Sequence, residues 1–288
     1  MDRELILQLG MFFLIVNGLG LLVGYHLIQE DLQTTIINDD PEDPINSLGL
    51  IGYMLVGTAF ILIAIKFFPD KILYWVLKGI EAMALVTTAF ITFWGLIAYL
   101  PIVEKDMVQA IAIILAVGLI MIRIILPQYL IWRNISSIIA TVGVGSLLGA
   151  SIGVLPVIIF LILLAVYDYI AVYKTKHMVT MAKAVAKKNL SFTFAMPTPK
   201  HQFELGTGDL VMPLVFGVSV LNDSITRGLS GIPAVVPSII ILLAAFAGLA
   251  FTLDYGSKHV GKALPALPLQ VALMVLTYGI ISVSGVFP

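Results

Sequence analysis

Two aspartates stand where aspartates are expensive. Asp168 sits in Val166-Tyr167-Asp168-Tyr169 near the end of one long apolar run, and Asp209 sits in Gly206-Thr207-Gly208-Asp209 at the start of the next. A carboxylate at membrane depth costs about 2.5–3.5 kcal/mol on insertion scales, so each one asks for a use. Two carboxyls brought close together share a proton and titrate as a pair. One then takes a proton from water while the other gives one to a carbonyl oxygen, the acid–base division that peptide-bond hydrolysis requires. The same pair is also suited to lining an ion path, and intramembrane carboxylates are common in carriers. On these residues alone, hydrolysis and transport stay open in equal measure.

The elements that hold the pair follow from composition. Of 288 residues, 60% are hydrophobic and 11% charged, and the mean hydropathy is +1.06. Soluble domains carry roughly 25% charged residues, so the chain reads as an integral membrane protein. Apolar runs at 5–28, 47–67, 74–99, 107–126, 134–153, 156–173, 206–226, 233–253 and 264–286 predict nine transmembrane helices, an all-α polytopic fold in one domain over 1–288. The first run is too long for a signal-peptide core and is expected to remain as a span. Gly145, Gly149 and Gly153, four apart, predict a small-residue face for close helix approach.

Several chemistries fall away. The net charge is −1 and the basic residues are scattered, so no nucleic-acid partner is expected. There is no cysteine, which removes disulfides, thiolate metal sites and thiol catalysis. His-Glu-x-x-His is absent, and neither a metal nor a cofactor is expected. Ser146 has no visible base, because His177, His201 and His259 lie in polar connections and His26 at the outer end of the first span. Glu81, Asp223 and Asp254 are read as lying near span ends, where charge is cheap, and are assigned no chemistry.

Lysine and arginine placement sets the orientation. With nine spans, fourteen of the sixteen fall on the N-terminal side, and only Lys105 and Arg227 fall on the other. The N-terminus and the 174–205 loop are therefore expected in the cytoplasm and the C-terminus outside. Spans six and seven then run antiparallel, which brings Asp168 and Asp209 to matched depth. Within the loop, Met178 to Leu190 has Lys183, Lys187 and Lys188 on one side and Met178, Met181, Ala182 and Val185 on the other, the pattern of a helix lying on the membrane. Ser191–Met196 and Gln202–Leu205 flank Pro197-Thr198-Pro199 and predict a short β-hairpin or exposed strand edge. Gly206 and Gly208 admit a close backbone, and Tyr167 is placed either to hydrogen-bond a substrate or to sit at the interface. Pro265 and Pro268 make a rigid, irregular opening to the ninth span at the level of the aspartates.

Tyr167-Asp168 in the sixth span, Gly206-x-Gly208-Asp209 in the seventh and Pro265-Ala266-Leu267 at the ninth together resemble the presenilin and signal-peptide-peptidase family of intramembrane aspartyl proteases. The resemblance implies a presenilin-like fold, an aspartic endopeptidase of the Gly-x-Gly-Asp type, and Asp168 and Asp209 as its catalytic pair. It also implies that Pro265, Ala266 and Leu267 shape the site and seat the substrate. The cytoplasmic loop, Ala171-Val172 and Pro268 look presenilin-like, whereas Leu210-Val211-Met212-Pro213 looks like the other branch, whose topology is inverted. The compact chain is similar to archaeal homologues. By the same resemblance its partners are transmembrane substrates in the bilayer, and no accessory subunit is expected to be needed. A cation channel or proton-coupled carrier, and a prepilin-type aspartyl peptidase, remain as alternatives; the latter lacks Pro-Ala-Leu at a ninth span. An unwound substrate helix is expected to pair with the strand edge at Ser191–Met196 or Gln202–Leu205.

Overall fold

Apolar chain in a bilayer folds as helix because only a helix closes its backbone hydrogen bonds within one segment. The computed structural model describes residues 3–101, 104–172, 193–197, 202–258 and 265–284. Its order is α1 (Arg3–Gln29), α2 (Ile45–Phe67), α3 (Asp70–Ile97), α4 (Lys105–Ile125), α5 (Leu130–Ser151), α6 (Val154–Ile170), β1 (Thr193–Pro197), β2 (Gln202–Gly206), α7 (Gly208–Thr226), α8 (Ile232–Lys258) and α9 (Leu267–Val283). Each helix falls on one predicted span, and the strands fall on the two predicted extended pieces. The amphipathic segment 178–190 lies outside the described residues. The largest moves are at the end of α8, which runs on past Asp254 to Lys258, and at the starts of α3 and α5, each four residues earlier than expected; α9 starts at Leu267, after the first proline.

Among the described residues, seven helices are long and apolar enough to cross a membrane. The other two, α6 and α9, have 17 residues each. At 1.5 Å per residue they reach about 25 Å, short of a hydrocarbon core of roughly 30 Å. These are the helices that carry Asp168 and follow Pro265-Ala266.

The bundle is built around α7, which has twelve of its nineteen residues buried and packs against α1, α5, α6 and α8. Close approach to it is made by glycine. A Cβ on Gly149 would stand 2.6 Å from Val218 Cβ and 2.7 Å from the Val215 carbonyl oxygen, and one on Gly145 would stand 2.7 Å from Leu214 Cδ2. Gly20 and Gly24 of α1 meet the same Leu214 and Val218 from another side. The predicted small-residue face is thus present at two of its three positions. Gly153 does not belong to it: α5 ends at Ser151, and Gly153 caps α6, facing the Glu42 carboxylate and donating its N–H to the Pro41 carbonyl at 2.8 Å. Beyond α5 lie α3 and α4, and α2 packs on α6.

Glu81 overturns one sequence expectation. It lies some three turns into α3 rather than near its end, and it is buried. Arg123 of α4, also buried, places Nε 3.3 Å from Glu81 Oε1, and Lys78 Nζ lies 2.5 Å from Oε2. The charge is tolerated because it is paired and not because it is near water. Asp223 does lie at a helix end, paired with Arg227 at 2.9 Å.

Removing one partner of a buried pair strands the other. Glu81→Ala is expected to destabilise the protein by about 3–5 kcal/mol, whereas Glu81→Met with Arg123→Met recovers most of that loss. Unfolding of both variants by denaturant in detergent micelles measures the difference.

Candidate active site

Three interruptions of the helical bundle meet at one place. The first is the end of α6, where Asp168 is 7% exposed two residues before the last. The second is the step from β2 into α7, where Gly206 ends the strand, Thr207 caps the helix and Asp209 stands in its first turn. A carboxylate there is favoured by the unpaired N–H groups and positive end of the helix dipole. The third is the opening of α9. Ala266 is its N-cap, Leu267 its first residue, and Pro268 takes a position where a missing N–H costs nothing.

Backbone donors bind the three together. The N–H of Leu267, left without an intrahelical partner by its position, hydrogen-bonds the Asp168 carboxylate. The N–H of Gly206 does the same for Asp209, and the two carboxylates are close enough to act on each other electrostatically. The pairing expected from antiparallel spans is therefore present. Pro265 and Ala266 lie partly buried beside it, and Tyr167 is half-buried against the main core. A Cβ on Gly208 would meet nothing within 4 Å, and one on Gly206 would meet only Asp209 Oδ2, at 3.4 Å. Neither glycine has a positive φ. The chain's own packing thus asks for neither, and the space beside them stays open. Ser146 is occupied elsewhere, donating to the Gly20 carbonyl at 2.8 Å.

The hairpin is packed into the bundle, with Phe194, Ala195 and Met196 fully buried and the Phe194 ring 5.2 Å from that of Phe12. Its strands pair antiparallel from Thr193↔Gly206 to Pro197↔Gln202. Helix α5 and helix α1 hold the outer edge of β1. Asn134 donates Nδ2 to the Ala195 carbonyl at 2.9 Å and accepts the Ala195 N–H on Oδ1 at 2.8 Å. Ser137 Oγ donates to the Thr193 carbonyl at 3.3 Å, and Gln8 Nε2 to that of Pro197 at 2.9 Å. Since Ala195 faces away from β2, alternation makes Phe194↔Leu205 and Met196↔Phe203 the hydrogen-bonded pairs, and it turns the backbone groups of Gln202, Glu204 and Gly206 to the far side of β2. Glu204 also holds the hairpin sideways, with Arg133 Nη2 3.4 Å from its Oε1.

Sequence reasoning did not find Asn134, Ser137 or Gln8. The available signal was an amide and a hydroxyl three apart, Asn134 and Ser137, which place two polar groups on one helix face.

Two solved structures share the fold, both described as a presenilin family intramembrane aspartate protease. The one in a C222 crystal form is 22% identical with a TM-score of 0.68, covering 97% of this chain and 99% of that one. The one in a P2 form is 23% identical with a TM-score of 0.66, covering 96% and 97%. No curated protein matches by sequence. The family model described as signal-peptide peptidase, presenilin aspartyl protease matches residues 10–283, nearly the whole chain, and the chain belongs to that family.

Proposed function

We propose that this family member hydrolyses peptide bonds within the transmembrane helices of substrate proteins, with Asp168 and Asp209 as the catalytic pair. The observation that carries the reading is the meeting of these two carboxylates at three helix interruptions, each held by a backbone N–H. One carboxylate takes a proton from water as the water oxygen attacks the peptide carbonyl carbon. The other carboxyl gives its proton to the carbonyl oxygen. Collapse of the tetrahedral intermediate, with protonation of the nitrogen, releases the new amine and acid. Tyr167, Gly206, Gly208, Pro265, Ala266 and Leu267 line the place where the substrate backbone lies.

A substrate helix hides its carbonyls in its own hydrogen bonds and must unwind first. The unwound strand adds to β2. Support comes from the two edges of the hairpin: that of β1 is taken by Asn134, Ser137 and Gln8, and β2 runs directly through Gly206 into Asp209. The whole of 1–288 works as one domain without accessory subunits, the N-terminus and the 174–205 loop facing the cytoplasm and the C-terminus outside. The donor from Leu267 to Asp168 favours this reading over a prepilin-type peptidase, which has no Pro-Ala-Leu turn to supply it. A carrier or channel has no need of a hairpin edge leading to the aspartates.

Reconstituted with a single-span reporter peptide, wild type is expected to cleave it, and Asp168→Asn and Asp209→Asn each to lose cleavage by at least 10³-fold, in line with removal of one member of a catalytic unit. Ion flux abolished by both substitutions, with no proteolysis by wild type, would overturn the protease assignment.

Cleavage plotted against pH is expected to be bell-shaped. With both carboxyls protonated no base remains for water, so the rate falls on the acid side. With both ionised no acid remains for the carbonyl, so it falls on the alkaline side.

The register decides how to test strand addition. Proline at Phe203 would break a bond inside the hairpin, and proline at Phe194 would empty a buried site against Phe12, so both disturb the fold. Gln202→Pro removes an N–H turned away from β1. Its reporter cleavage is expected to fall tenfold or more with an unchanged melting temperature in detergent, and unchanged cleavage would rule the pairing out.

A further inference from the structure

The carbonyl of Asp209 cannot be satisfied by its own helix. Its partner four residues on would be the N–H of residue 213, and residue 213 is proline, inside α7. Proline removes that donor and crowds the carbonyl four residues before it. In a part-buried first turn an orphaned carbonyl is costly, and the cost falls on the backbone of Asp209 itself.

Gln270 of α9 meets the need from another helix. It is fully buried, and its Nε2 donates to the Asp209 carbonyl at 3.2 Å and to the Ala245 carbonyl of α8 at 3.5 Å. Two carbonyl acceptors fix which end of the amide points at them. Its Oε1 is buried without a hydrogen-bond partner, so the side chain is kept for what it donates. The backbone there is clamped as well: a Cβ on Gly248 of α8 would stand 3.0 Å from Gln270 Cα. One turn earlier on α9, Leu267 donates to Asp168. The first turn of α9 thus reaches both aspartates, one through its backbone and one through Gln270.

We propose that Gln270 and Pro213 form a positioning pair. Proline turns the Asp209 carbonyl out of the helix, and Gln270 holds it, which fixes the first turn of α7 and the aim of the Asp209 carboxyl against the Pro265–Leu267 turn. Gln270 touches no reacting atom and acts through Asp209. The inference rests on Asp209 being catalytic for its kinetic part and on the geometry alone for its structural part.

The test is a double-mutant cycle in the full chain in detergent or liposomes, with Gln270→Leu, Pro213→Ala and the two together. Alanine at 213 restores the N–H, so the carbonyl no longer needs Gln270. Gln270→Leu is expected to lower kcat for a single-span reporter tenfold or more with KM within twofold, and to lower the melting temperature. In the Pro213→Ala background the same substitution is expected to change kcat by less than threefold and to leave the melting temperature unmoved. Equal losses in both backgrounds would overturn the pair, and an unchanged kcat in Gln270→Leu would overturn the positioning role. Should Gln270→Leu alone not fold, a folded double variant carries the same conclusion, and failure of both to fold defeats it. If wild type cleaves nothing, the protease reading fails on its own and the positioning role with it, while coupling in the melting temperatures still tests the contact.

Discussion

A carboxylate in an apolar bundle must find hydrogen-bond donors, and an intact helix has none to spare. Every N–H past its first turn is already committed to a carbonyl four residues back. Donors therefore exist only where helices begin or are broken, and the structure brings such places together around Asp168 and Asp209. The start of α9 gives the Leu267 N–H to one, and the strand-to-helix step gives the Gly206 N–H to the other. Leu267 has an N–H to give because it opens α9; an α9 begun a turn earlier would bond that N–H to its own chain.

The other ion pairs with a buried member use the alternative solution, a cation in place of a backbone donor. Glu81 has Lys78 and Arg123, and Glu204 has Arg133. These pairs are neutralised by side chains, whereas the two aspartates are held by neutral N–H groups with room beside Gly208. A carboxylate locked to arginine is a poor base, since the cation stabilises its ionised form. Among the described residues no cation is paired with either aspartate, which in the proposed reading leaves their charge available for proton transfer. That difference in surroundings is the physical argument for the proposed role of Asp168 and Asp209.

How much of this was readable in the chain depends on the range of each interaction. Spans, the aspartate pair, the Pro265–Leu267 turn and the hairpin are written in local composition and spacing, and the structure has them within a few residues. Glu81 was misread because its partner Arg123 lies on the next helix, and a charge is judged by depth when its partner is not known. Gly153 was misread because periodicity carries no mark of the break after Ser151. The contacts of Asn134, Ser137 and Gln8 with β1 span tens of residues or more, and no spacing rule pairs an amide in one span with a strand so far along the chain. Pro213 was visible four residues after Asp209, yet its consequence is legible only once Gln270 is seen to take the orphaned carbonyl.

The hairpin divides the labour between its strands in a way that follows from hydrogen-bond alternation. A two-stranded ribbon on its own is marginal in water and has two open edges. Here β1 is fixed by side chains from α1 and α5, the helices whose glycines also bring them closest to α7. That closes one edge and ties the ribbon to the helices packed closely on α7. Strand β2 inherits its position from β1 and passes it through Gly206 to Asp209. A register shift of one residue would bury the wrong face and turn Ala195 away from Asn134. The same amide that holds β1 therefore sets the register of β2, and with it the distance from any strand lying along β2 to the aspartate at its end.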